Sequence, residues 1–188
     1  MGNKQFEHFL GTHCAPTLVG LKAASLLAVH KTDREDFLQL LEEYKPCFHC
    51  KGISVLQLGE NESSILMLFF RPEILARQLQ RSLASQLLQQ FGYPAEGRLV
   101  EKLSFLQERI RIKDSFPHEI GLFLGYPPED VHGFIENKGR EFAYSGYWKV
   151  YANEERTREL FQLYTECTRE FCTQLQTGSS ICDLLHAF

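Results

Sequence analysis

The chain has 188 residues, 44% of them hydrophobic and 23% charged, a balance that excludes a disordered chain and is enough for a sizeable core. A net charge of -4 argues against a general nucleic-acid binder, and no apolar run reaches membrane-spanning length. Residues 1–7 lack the apolar segment of a signal peptide and the hydroxyl residue of a myristoylation site, so a cytoplasmic protein with six reduced cysteines is expected.

In chain order, residues 16–29 are nearly apolar all round and predict a buried first helix, on which Lys22 is the one charge. Residues 33–44 predict an amphipathic helix with Phe37, Leu40, Leu41 and Tyr44 inward, ending before Pro46. Residues 52–58 and 64–70 read as two strands, and the polar run 59–63 between them predicts an antiparallel hairpin. Pro72 then opens a helix predicted to run to about residue 90, where Gly92-Tyr93-Pro94 breaks it, and a further helix spans roughly 97–110.

Pro117 opens a predicted helix with His118 and Glu119 in its first turn. On that helix His118, Gly121 and Gly125 share one stripe, so an imidazole would border a groove floored by bare backbone. Pro127-Pro128 starts another short helix, closed by Asn137-Lys138-Gly139. Residues 144–152 read as a third strand rich in aromatics, residues 154–176 as a long helix, and residues 179–185 as one last turn. There is no internal repeat and no regular strand–helix crossover. The predicted class is α+β: one helix-dominated domain over residues 1–188, with a small, largely antiparallel sheet of about three strands covered by helices.

Reactive side-chain types fall at the ends of these elements, where loops gather sites. Cys14, beside His13 and ahead of Pro16, is placed at the start of the first predicted helix, where peptide dipoles favour thiolate. His118 or His13 could serve it as base. Lys22, if buried, would titrate low like Schiff-base lysines; alternatively its stem lies along apolar surface with the ammonium in water. Arg71, between a strand and a helix, could clamp a carboxylate or phosphate through two parallel hydrogen bonds, or form a structural ion pair. Glu119 suits a helix N-terminus on electrostatic grounds alone.

Cys47-Phe48-His49-Cys50 is a lone CxxC that follows a helix and precedes a strand, unlike a thioredoxin-type site. Cys47, His49 and Cys50 could ligate a metal only with a distant fourth donor. Between residues 71 and 113 there are 8 basic and 4 acidic side chains, a basic face for a small anionic molecule or an ordinary solvated surface. Phosphate-loop, dinucleotide, serine-hydrolase and zincin motifs are absent.

Phe116-Pro117-His118-Glu119-Ile120-Gly121, Leu124-Gly125-Tyr126-Pro127 and Asp130-Val131-His132-Gly133-Phe134-Ile135 form a specific string. With His13-Cys14-Ala15-Pro16-Thr17, Phe70-Arg71-Pro72 and Gly146-Tyr147-Trp148-Lys149-Val150-Tyr151, it resembles the bacterial family catalogued as domain of unknown function 3793. The likeness covers nearly the whole chain and implies a compact bacterial domain, with no catalytic residue to carry over. The leading expectation is a small-molecule-handling protein or enzyme. Its pocket would combine Cys14 and His118 as catalytic residues with His13, Lys22, Arg71, Glu119, Gly121 and Gly125 as ligand contacts. A metal or metallocofactor binder and a non-catalytic protein–protein interaction module, with a homodimer also compatible, are the alternatives.

Overall fold

A computed structural model describes residues 1–112 and 116–186. The fold is α+β and helix-dominated, with one three-stranded antiparallel sheet and a two-stranded one. Its contacts divide it into two compact units, residues 1–72 with 164–188, and residues 73–163. Among the described residues, no helix is long and apolar enough to cross a membrane.

The first unit opens with helix α1 (Asn3–Leu18), whose Phe6, Leu10, Cys14 and Leu18 recur every four residues and are buried. This helix replaces the one predicted over residues 16–29. Pro16 lies in its last turn, and the carbonyl of Pro16 accepts the amides of Leu21 and Lys22 as the chain leaves. Gly20 follows with φ +85°, the left-handed conformation that ends a helix without a Cβ clash.

The apolar run beyond it is strand β1 (Ala24–His30). A short apolar run has the same pattern in a buried helix and a strand, and only pairing with a distant partner decides between them. That partner is β3 (Ser64–Phe70), in register from Ala24 opposite Phe70 to His30 opposite Ser64. β3 is central in the order β1-β3-β2, with β2 spanning Ser54–Glu60, and after Ser64 its sequence is apolar to the end. The predicted β2–β3 hairpin is present, and the Asn61 side chain accepts the amides of Ser63 and Ser64 across its turn at 3.0 and 2.8 Å.

Helix α2 (Arg34–Cys50) starts as predicted but carries Pro46 within it and runs on to include the CxxC. The core of this unit joins Phe6 and Leu10 of α1, Phe37, Leu41 and Phe48 of α2, and Leu27, Val29, Met67 and Phe69 of the sheet.

In the second unit the helix predicted from Pro72 to residue 90 is two helices, α3 (Pro72–Leu79) and α4 (Ser82–Gln90). Arg81 between them adopts ψ 139°, outside the helical range. Helix α5 (Leu99–Ile112) follows. The histidine helix shrinks to one turn, α6 (Ile120–Phe123), with His118 before it and Gly125 beyond it at φ +88°, so the predicted His–Gly–Gly stripe does not form. Helix α7 (Pro128–Glu136) starts and stops where expected. The strand predicted over residues 144–152 is a tight hairpin, β4 (Tyr144–Ser145) paired with β5 (Lys149–Val150). Helix α8 (Glu154–Gln176) begins in this unit and ends in the first, where α9 (Ile181–His186) adds Ile181, Leu184 and Leu185 to the core.

Candidate functional site

Arg71 spends its guanidinium on backbone. Its Nε donates to Thr17 O at 2.8 Å, Nη1 to Lys51 O at 2.8 Å, and Nη2 to Leu18 O. Two of those carbonyls belong to the last turn of α1, where Thr17 O also accepts the Gly20 amide at 3.1 Å, so the arginine caps that end. Its own amide donates to Ala23 O at 2.9 Å, tying the end of β3 to the entry of β1.

Cys14 lies in the penultimate turn of α1 rather than at a helix N-terminus, and is fully buried. Burial pushes its thiol well above the usual range, against the lowering effects of Lys22 and of a hydrogen bond with Ser25. Lys22 lies between α1 and β1 with 9% of its surface exposed, and its ammonium sits 5.9 Å from the centre of the Tyr164 ring. Burial brings its pKa down to about 8, only partly offset by Cys14. Ser25 donates or accepts with Thr17 at 2.8 Å beside them. The fold thus brings Cys14, Lys22 and Ser25 together as a neutral thiol beside a weakly basic amine. His13 turns outward, its ring edge-on to Phe9 at 4.9 Å, and partial burial lowers its pKa.

His118 and Glu119 are separated by burial as well as by direction. His118 is exposed, with its ring edge-on to Phe134 at 5.0 Å. Glu119 is 1% exposed and accepts hydrogen bonds from Tyr93 Oη at 3.2 Å and from Arg109 Nε. The Arg109 guanidinium in turn lies 5.2 Å from the Phe91 ring centre. Gly121 is the floor of a filled space: a Cβ there would come within 2.8 Å of both the Trp148 ring and Val131. Trp148 stacks on Tyr126 at 5.0 Å and 22° and contacts Phe134 at 5.0 Å. Cys14 belongs to the first unit and His118 to the second.

On α2, Cys47 and Cys50 share a face three residues apart, whereas His49 is turned about 160° from Cys47 and about 100° from Cys50. Among the described residues no three His, Cys, Asp or Glu side chains are grouped to hold a metal.

An open cleft of about 420 Å³ lies within the second unit. Asp130 builds its wall: 1% exposed, the carboxylate accepts from the amides of Tyr151 and Ala152 at 2.8 and 3.0 Å and from Thr157 Oγ1 at 3.3 Å. It thereby joins the first turn of α7 to the first turn of α8. Asn153 caps α8, its side chain accepting the Arg156 amide at 3.1 Å. Pro127, Leu160 and Leu163 supply apolar surface. Arg81, Arg156, Glu129 and Glu159 ring the opening; all four are exposed, and none makes an ion pair among the described residues.

Of the residues expected at a pocket from the sequence, only Gly125 lines this cleft. Asn153 ahead of an acidic helix start was legible as a cap, but nothing local to Arg81 or Arg156 marks them as neighbours of one cleft.

Fold and cleft together define a helix-dominated α+β protein with a small antiparallel sheet and a mixed-charge opening on its helical second unit. The chain belongs to the family described as protein of unknown function, DUF3793, which it matches over residues 10–185. No curated protein and no solved structure gives a significant match.

Proposed function

We propose that this chain binds a small molecule carrying both an anionic group and an amine, such as an amino acid or short peptide, in the cleft between Arg81 and Arg156. One observation carries this reading: two guanidiniums and two carboxylates, Glu129 and Glu159, face one cleft without pairing with each other. Guanidinium is the side chain best shaped to receive a carboxylate or phosphate through two hydrogen bonds, and a carboxylate is the complement of an ammonium. The volume of about 420 Å³ lies in the range of small-ligand sites, and Pro127, Leu160 and Leu163 offer apolar contact for the body of such a ligand.

The test is thermal denaturation and calorimetric titration with a panel of free amino acids and dipeptides. At least one should raise Tm in proportion to the logarithm of its concentration. Arg156→Ala and Arg81→Ala should each weaken that ligand about tenfold or more, in keeping with the strength of a charge-assisted pair, while Arg98→Ala, outside the cleft, should not. A panel without any binder, or a binder indifferent to the double arginine variant, would overturn the proposal.

A further inference from the structure

Six cysteines are spread over the chain, and two that are far apart in sequence meet in the first unit. Cys47 is in the last turns of α2, Cys182 in the first turn of α9, and their side chains are hydrogen-bonded to each other. The packing that brings them together is well supported on both sides. Ile181, Leu184 and Leu185 of α9 are buried in the same core as Phe37, Leu41 and Phe48 of α2, and Cys47 packs against that core. A second link holds the start of α9: the Glu7 carboxylate of α1 accepts the Ile181 amide at 2.8 Å and is also hydrogen-bonded to Tyr44 of α2. Both thiols are half-buried, so a small oxidant can reach them without unfolding of the core.

We propose that Cys47 and Cys182 form a reversible disulfide in response to hydroperoxide, a covalent link between α2 and α9. The chemistry balances with hydrogen peroxide as oxidant. The Cys47 sulfur attacks one peroxide oxygen; an S–O bond forms, the O–O bond breaks, and the other oxygen leaves as water, giving a sulfenic acid. The Cys182 sulfur then attacks the Cys47 sulfur; the S–S bond forms, the S–O bond breaks, and the hydroxyl leaves as water with the proton of Cys182. Two thiols lose two electrons and the peroxide gains them.

The surroundings set the order of the two steps. Burial, the bond to Cys47 and the carboxylates of Glu7 and Asp183 push the Cys182 thiol up to about 12, so it stays protonated at neutral pH and acts second. The sulfurs must close from hydrogen-bond separation to about 2.05 Å, a step that rotation of both side chains and a small shift of the short α9 can supply. This site is separate from the cleft of the second unit and does not depend on what binds there.

The experiment oxidises the native, fully reduced chain with stoichiometric hydrogen peroxide, alkylates the remaining thiols after denaturation and maps the peptides by mass spectrometry. Expected is a linked peptide pair containing Cys47 and Cys182, lighter by two hydrogens than the sum of its parts. Dithiothreitol should abolish it, and four of the six cysteines should remain alkylated in the linked form. A Cys47–Cys50 link, or oxidation confined to sulfinic and sulfonic acids, would overturn the proposal. Because the mapping uses the unaltered chain, it does not depend on how a variant folds. In a second measurement, Cys50→Ser should keep the link, and Tm should be higher for the oxidised than for the reduced chain. Loss of the link in Cys50→Ser, or an oxidised Tm at or below the reduced one, would count against it.

Discussion

The Trp148 ring lies directly over the Cα of Gly121, at a spacing that a single added methyl would close to 2.8 Å. A ring from the β4–β5 hairpin thus occupies the bare backbone that the glycine provides. The glycine serves close packing of α6 under the hairpin, with Tyr126 and Phe134 completing the aromatic stack.

Gly121→Ala should therefore destabilise the protein by about 1–3 kcal/mol, the usual cost of overpacking a filled site. Trp148 is the one tryptophan in the chain, so its fluorescence reads the site directly. The expected result is a lower Tm together with a shifted emission maximum in the folded state. A variant with unchanged Tm and emission would show that the hairpin can move aside freely.

Arg71 holds three carbonyls in a planar fork, and lysine has no such fork. Arg71→Lys should recover little of the stability lost in Arg71→Ala. Each should lower the unfolding free energy by about 2 kcal/mol or more, because the half-buried Lys51 and buried Leu18 carbonyls would lose the donors that Arg71 supplies. Denaturant titration measures this; full rescue by lysine would mean that charge alone matters there.

Glu119 and Arg109 form a buried ion pair that Tyr93 completes. Removing one partner leaves the other charge buried, so Glu119→Gln or Arg109→Met should each cost about 3–5 kcal/mol. Replacing both partners with apolar residues should cost less than either single change. A double-mutant cycle in denaturant decides it, and simple additivity of the two losses would contradict the pairing.

Lys22 gives a pH signature with a defined sign. Its pKa falls from the ordinary 10.5 in the unfolded chain to about 8 in the fold, so between those values the unfolded chain binds more protons. Stability from this group therefore rises as pH rises through that window, and below pH 8 the buried ammonium is a penalty of roughly 3 kcal/mol. Cys14 acts in the opposite sense, since its raised pKa makes stability fall once pH passes the ordinary thiol value of 9. The comparison of Lys22→Met with the parent chain isolates the lysine. The variant should be the more stable at pH 7, and the difference should shrink as pH rises from 8 to 10. A difference constant across that range would place the amine in water.

The residues that the chain encodes locally were legible from order alone. Asn61, with Gly59, Ser63 and Ser64 around it, specifies the β2–β3 turn, Pro128 opens α7, and the spacing of Phe37, Leu40, Leu41 and Tyr44 fixes the inner face of α2. Each of these is a property of a few neighbouring residues, so no distant contact is needed to read it. Residues 24–30 became a strand only because β3 offers an edge to pair with; by themselves their alanines and leucines suit a helix as well. The filling of Gly121 by Trp148, the gathering of Arg81 and Arg156 at one cleft, and the meeting of Cys47 with Cys182 were likewise decided by tertiary structure. Turns, caps and periodicity are written in the local chemistry of the backbone, whereas these contacts arise only when packing brings distant segments together.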